Sequence, residues 1–251
     1  MKEVYFAISV ILSMFLLWGA PSRCEPESPA HAHWIATLRL CAESTGLDAP
    51  ACKYWLGMFY YGGSPVFRVE ENTSRALKLF HEAAEMGLIS AQQMLINLYF
   101  TGDRVAQDYA EAAKWARIAG QQGDEVCQRI MGAMYAHGYG VPQDYSQALL
   151  WTRTAAENGD AGAKYNLGYF FEYGQGVASD PIKAAEWYGR SAAQGFALGQ
   201  RALGRMYEEG IGVEKDLQEA VKWYERAAEQ DDKQATAGLK RVRESLSKER
   251  P

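Results

Sequence analysis

The sequence lacks most of what catalysis, metal binding or nucleic-acid recognition would need. Four histidines are scattered along 251 residues. His31 and His33 could ligate a metal, but no carboxylate or thiol cluster stands beside them at ligand spacing, so no metal site and no cofactor is expected. No serine has a Gly-x-Ser-x-Gly setting, and the glutamates of the helices read as solvated faces. Charged residues make up 23%, with acids and bases mixed and a formal net charge of −5, which excludes a polyanion binder and hence a nucleic-acid partner. The one basic run, Lys240-Arg241-Val242-Arg243, lies close to Glu244 and Glu249 and reads as a solvated terminal helix. No apolar run reaches the ~20 residues that span a bilayer. Cysteine is sparse, with four in the chain.

What the sequence does have is a period. Met131-Gly132-Ala133-Met134-Tyr135 returns as Leu167-Gly168-Tyr169-Phe170-Phe171, and Gly138-Tyr139-Gly140-Val141 returns as Gly174-Gln175-Gly176-Val177, each at an offset of 36. Asp144, Ala148, Trp151 and Ala155 return as Asp180, Ala184, Trp187 and Ser191. A fixed period of this length predicts stacked supersecondary units, none of which buries its apolar face without a neighbour. Further copies occupy 91–126, with Ile96 in place of the glycine, and 199–234. A looser copy begins at Leu56-Gly57-Met58-Phe59-Tyr60, with three residues inserted in the Pro65 to Ser74 turn. Gly138-Tyr139-Gly140 and Gly174-Gln175-Gly176 resemble phosphate cradles superficially, but they follow helices and recur in register, so they are turns.

Each unit carries the local signals of two helices. Asp108, Asp144, Asp180 and Asp216 stand at N-cap positions, and Glu111, Gln147 and Glu219 follow three residues later as in a capping box. Pro181 takes the first helical position. Gly123, Gly159 and Gly195 stand where the second helices close. The spacing 108, 112, 115, 119 puts Ala112, Trp115 and Ala119 on one face, so Trp115, Trp151, Trp187 and Trp223 are expected in the core. Gly57, Gly132, Gly168 and Gly204 recur inside first helices, where glycine costs ~1 kcal/mol against alanine. Their recurrence predicts close packing there. A final helix from about Lys233 to Ser247 serves as a C-terminal cap.

The N-terminus reads differently. Lys2, an apolar run from Val4 to Trp18 and then Gly19-Ala20-Pro21-Ser22 give the order of a secretory signal peptide, cut after Ser22, with an uncleaved anchor as the alternative. Residues 23–31 are Pro- and Glu-rich and are expected to be unstructured, and an amphipathic cap helix runs from about His33 to Ser44. Export makes disulfides permissible. Cys41 on the cap helix and Cys52 in the first repeat are predicted to pair, stapling cap to repeat. Cys52 and Cys127 share one small, inward register position, so Cys127 reads as a buried thiol. The pairing of Cys24 is left open.

Gly-Asp-Ala-Gly-Ala-Lys-Tyr-Asn-Leu-Gly at 159–168, Gly-Gln-Gly-Val at 174–177 and Lys-Ala-Ala-Glu-Trp-Tyr at 183–188 resemble the Sel-one-like repeat, a cousin of the tetratricopeptide repeat. The resemblance covers about residues 51–235. It implies an all-α, right-handed superhelical solenoid of antiparallel helix pairs, here about five repeats. The expected organisation is a signal peptide at 1–22, a flexible segment and capping helix at 23–50, the solenoid at 51–235 and a C-terminal cap and tail at 236–251. The resemblance also implies that first helices line a concave groove that binds protein segments. Surface positions that vary between copies are then the ones free to read a ligand. They are Met58, Asn97, Ala133, Tyr169 and Arg205, with Gly62, Thr101, His137, Tyr173 and Glu209 one turn later. Tyr169, Tyr173 and Arg205 are the expected anchors, since Tyr and Arg dominate hot spots. Asn97, His137 and Glu209 are expected beside them. The function so implied is a non-enzymatic, exported adaptor, periplasmic or secreted, that captures a protein partner in envelope signalling or host interaction. The alternatives are a cell-wall-directed hydrolase or β-lactam-binding protein, and a non-catalytic peptidoglycan binder. A cysteine-rich branch of the family carries a cysteine pair in each repeat, which this chain does not.

Overall fold

Four aspartates set the rhythm of the chain. Asp108, Asp144, Asp180 and Asp216 each hold an extended backbone ahead of a helix, and each carboxylate accepts from backbone N–H groups of the first turn. Their own N–H groups donate back to the preceding helix, at Tyr99 O, Tyr135 O, Phe171 O and Tyr207 O, over 2.9, 2.9, 2.7 and 2.9 Å. These bonds clip each first helix to its second. They also replace the reciprocal half of the expected capping boxes, because the cap N–H is already engaged. Glu111 and Glu219 turn instead to Lys114 and Lys222, at 3.1 and 2.5 Å.

The computed structural model describes residues 29–44, 46–64 and 69–248, and the expected signal peptide and Cys24 lie outside them. Among the described residues there are twelve helices and no strand. In order they are α1 (Pro29–Glu43), α2 (Ala49–Gly62), α3 (Thr73–Glu85), α4 (Ile89–Thr101), α5 (Tyr109–Gln121) and α6 (Glu125–His137). Then come α7 (Tyr145–Glu157), α8 (Ala161–Tyr173), α9 (Pro181–Ala193), α10 (Ala197–Glu209), α11 (Leu217–Ala228) and α12 (Lys233–Lys248). The cap helix α1 thus starts earlier than its amphipathic pattern alone indicates. No described helix is long and apolar enough to cross a membrane.

The chain divides into two bodies, up to Ala83 and from Ala84 onward. In the first, α1 packs on α2 and buries Ile35, Leu38 and Ala42, and Cys41 is bonded to Cys52. Phe80 of α3 is fully buried beneath Gly57. Asn72 does the work of the later aspartates, its N–H donating to Tyr60 O over 2.7 Å and its Oδ1 accepting from Arg75 N–H over 2.9 Å. The donor-to-acceptor separation is three residues longer than that from Asp108 to Tyr99, which locates the insertion in this turn. Ser64 and Val69 exchange backbone bonds of 2.8 and 3.0 Å across it.

In the second body each helix packs on the next from α4 to α12, a solenoid of helix pairs. First helices end at Gly102, Gly138, Gly174 and Gly210, all left-handed, whose N–H groups return to the carbonyls of Leu98, Met134, Phe170 and Met206. Arg104 takes the next left-handed position in the first of these turns, and the glycines that hold it in the others have a steric reason. A Cβ on Gly140 would stand 1.9 Å from Tyr109 O, and one on Gly212 would stand 2.0 Å from Pro181 O. Gly123, Gly159 and Gly195 follow the second helices with positive φ, and Asp231 takes that conformation where the fourth glycine would fall. Small residues fill the interior, among them Ala112, Ala148, Ala184 and Ala220, with no exposure.

The tryptophans divide. Trp115 is buried, whereas Trp151, Trp187 and Trp223 are half-buried. Arg190 and Arg226 place their guanidinium groups 4.4 and 4.7 Å from the ring centroids of Trp187 and Trp223. Those two rings roof the core under a cation instead of lying inside it. Cys127 is buried with its thiol, and burial, reinforced by Asp124, pushes that thiol far above its ordinary range.

Candidate functional site

The surface of the first helices follows from what lies beneath it. A Cβ on Gly168 would meet the Tyr188 ring at 2.5 Å, and one on Gly204 would meet the Tyr224 ring at 3.0 Å. The glycines therefore admit a tyrosine from the second helix into the seam of the pair. Tyr188 Oη then reaches Glu172 Oε2 at 2.8 Å, and Glu172 Oε1 accepts from Arg205 Nη2 at 2.5 Å. One period later Tyr224 Oη donates to Glu208 Oε2 at 2.8 Å, and Arg241 grips both oxygens of Glu208 at 2.6 and 2.7 Å. Burial, then the neighbouring carboxylate, holds both phenols above their ordinary range, so they remain donors. Burial alone would lower Arg205, but hydrogen bonding and the charge of Glu172 raise it instead.

Above this seam the structure brings together the three expected anchors. Tyr169, Tyr173 and Arg205 line one cavity of about 320 Å³ between α8 and α10, with Tyr165, Leu198 and Arg201. The rings of Tyr169 and Tyr173 lie 4.4 Å apart, and the two residues are 38% and 56% exposed. Glu209 joins them by pairing with Arg205 at 3.3 Å. Arg205 is thus bound to two carboxylates and is not a freely presented cation. Burial, followed by the charge of Glu172, raises the Tyr173 phenol.

Asn97 and His137 do not join this cavity. Asn97 lines a second cavity of about 500 Å³ between α4 and α6, walled by Ile96, Phe100, Val126, Ile130 and Met134. His137 lies over Tyr139, which also lines that cavity, with ring centroids 5.5 Å apart. Tyr139 in turn stacks on Tyr109 at 5.1 Å and meets Phe100 edge-on at 5.6 Å.

Residue types alone do not single out Tyr165, Glu172 or Tyr139. A signal for the first was present in the register. At the start of first helices, Gln93 pairs with Asp124, Arg129 with Asp160 and Arg201 with Asp232. Tyr165 and Phe196 replace that polar staple by two rings 5.9 Å apart. A break from polar to aromatic in a repeating pair marks where the surface changes character. Among the described residues no three His, Cys, Asp or Glu side chains converge as a metal ion would require.

The Sel1 repeat pattern matches this chain five times, at residues 50–88, 90–124, 126–160, 161–196 and 197–232. Among solved structures the chain is similar to a protective antigen present in uropathogenic Escherichia coli strains that displays an SLR fold. The two are 35% identical over 83% of this chain, with a TM-score of 0.74, and the match spans 44% of the antigen's own length. The chain is also similar to a Sel1 repeat protein from Oxalobacter formigenes, at 30% identity and a TM-score of 0.70, over 84% of this chain and 87% of that one. No curated protein sequence matches.

Proposed function

Because the chain belongs to the Sel1 repeat family, whose repeats generally mediate protein–protein interaction, we propose that it is an exported scaffold holding a partner protein at Tyr169, Tyr173 and Arg205. The observation that carries this is the convergence of those three side chains, from two different repeats, on one cavity. Tyrosine and arginine give large contact area at low entropic cost, and the ion pairs hold Arg205 before a partner arrives. The family is generally non-catalytic, which agrees with a binding role. Export is supported by the Cys41–Cys52 bond and by the order of basic end, apolar run and small residues at the N-terminus. An envelope or host-facing role is supported by the likeness to the uropathogenic antigen.

The test is affinity capture from native envelope extract by the mature chain and by a Tyr169→Ala/Tyr173→Ala variant, read by mass spectrometry. One protein enriched by the parent and at least tenfold depleted with the variant is the expected result, with helicity and unfolding midpoint unchanged. Arg205→Ala is the poorer probe, because it strips a cation from Glu172, whose side chain is 10% exposed. Co-sedimentation of both forms with purified cell wall, without capture of a protein, would replace the adaptor by a peptidoglycan binder.

A further inference from the structure

We infer that the tyrosine site takes an uncharged, proline-bearing stretch of its partner, laid in extended form along α8. This rests on the reading of the site as a protein-binding one and names the chemistry of what it binds. Tyr165, Tyr169 and Tyr173 stand at i, i+4 and i+8 of one helix and line one cavity, so they form a stripe along it. In α4, α6 and α10 the same three positions hold no tyrosine, so the stripe is not something the repeat needs in order to pack.

Charge excludes an ionic occupant. Three arginines line the cavity, and each already has its carboxylate. Arg201 Nε lies 3.2 Å from Asp232 Oδ2, Arg205 spans Glu172 and Glu209, and Arg241 holds both oxygens of Glu208. An entering carboxylate would have to displace one of these partners, and an entering cation would meet three guanidinium groups. What the site has left over is ring surface and donors. The hydroxyls of Tyr165 and Tyr169 make no hydrogen bond among the described residues, whereas Tyr188 and Tyr224 beneath them reach glutamates. Burial raises the Tyr165 phenol as it does that of Tyr173, so both keep their protons. A segment rich in N–H groups would bring more donors to a place whose carboxylates are taken. Proline brings a carbonyl acceptor, no N–H and an apolar ring for the aromatic faces. The length agrees as well. The stripe rises about 12 Å from Tyr165 to Tyr173, which a polyproline II segment covers in about four residues. Two prolines three residues apart share a face of that helix and both fall within the stripe.

Two capped peptides test this without the natural partner. Decaproline and a Gly-Ser peptide of the same length are titrated into the full mature chain, with tyrosine ring resonances followed by NMR. Decaproline should move the rings of Tyr169 and Tyr173 and bind at least tenfold more tightly than the Gly-Ser peptide, with an affinity that holds between about 0.05 and 0.5 M salt. Tyr169→Ala/Tyr173→Ala should lose that binding, and Tyr169→Phe, which keeps the ring and removes the donor, should weaken it about threefold. Equal binding of the two peptides, no movement of these rings, or decaproline binding that survives the double variant overturns the proposal. A captured protein that depends on Tyr169 and Tyr173 while decaproline moves neither ring leaves the adaptor standing and removes only its proline-bearing contact, so the two readings fail separately.

Discussion

The repeats at 91–162 and at 163–234 have the same length and the same aspartates capping their second helices, yet they fill the seam between their helices in opposite ways. In the later pair, glycine on the first helix admits tyrosine from the second, and the phenol is answered by a glutamate and an arginine of the next unit, Arg205 on α10 or Arg241 on the cap helix α12. In the earlier pair, Ile96 stands at the glycine register and Ala116 at the tyrosine register, both buried. Its neighbour has Gly132 facing Thr152, whose buried hydroxyl has no hydrogen-bond partner. Between Ile96 with Ala116 and the later glycine with tyrosine, volume is kept while chemistry is exchanged. The consequence shows on the surface. Where the seam is polar the face above carries tyrosines and paired arginines, and where it is apolar the face opens into an aliphatic cavity.

The largest effect is expected from breaking the apolar seam. Ile96→Gly removes a buried side chain and adds the helix cost of glycine, together about 4 kcal/mol. Ala116→Tyr alone overfills the seam by roughly 1–3 kcal/mol. The double variant recreates the arrangement of the later repeats, so denaturant midpoints should show coupling of at least about 2 kcal/mol in its favour. Additive losses would mean that the two positions do not share one space.

A smaller and graded effect is expected in the polar seam. Alanine gains ~1 kcal/mol over glycine in a helix, while overpacking costs ~1–3 kcal/mol. At Gly168 the new Cβ would lie 2.5 Å from Cδ1 of Tyr188, with two further ring atoms inside 3.0 Å, so Gly168→Ala should lose about 2 kcal/mol. At Gly204 the nearest ring atom is 3.0 Å away, so Gly204→Ala should be close to neutral. Thermal unfolding of the two variants side by side decides this, and equal shifts would contradict the close-packing account of the recurring glycine.

Much of this was readable without coordinates, and the reason is translation symmetry. Five noisy copies report one structure, so Asp108 and its equivalents announce helix starts, and the inserted turn is visible as a change of spacing before Asn72. The site was readable only in part. Tyr169, Tyr173 and Arg205 stand out in the sequence because they vary at a surface register, but the two carboxylates that hold Arg205 do not. Glu172 and Glu208 look like any solvated glutamate, because their partners lie 16 and 33 residues away, a separation that no local pattern encodes. The tryptophans misled for a related reason. One register position fixes which way a side chain faces, but how deeply it lies depends on neighbours such as Arg190 and Arg226. The exchange of Ile96 with Ala116 was present in the sequence as two departures 20 residues apart, and their relation needed the seam to be seen.

The smallest effect concerns pH and separates the two ends of the array. Hydrogen bonding to Arg241, against the opposing pull of burial and with help from Tyr224, holds the Glu208 carboxyl below its ordinary 4.5. A depressed folded-state value means that the folded state favours the charged form. The stabilisation is therefore complete above about pH 4.5 and is lost as pH falls from there through the lower folded-state value. It acts on α12, since Arg241 sits on that helix, whereas the same register earlier in the chain holds Phe100 and Ala136 and has no charge to lose. Hydrogen exchange below pH 4.5 should show α12 amides opening in the parent ahead of those in α6. In Glu208→Gln, α12 should already exchange faster at neutral pH and change little further across the acid window. An acid response of α12 that survives Glu208→Gln unchanged would remove this ion pair as its source and leave the apolar contacts of Leu239, Val242 and Leu246 to hold the last helix.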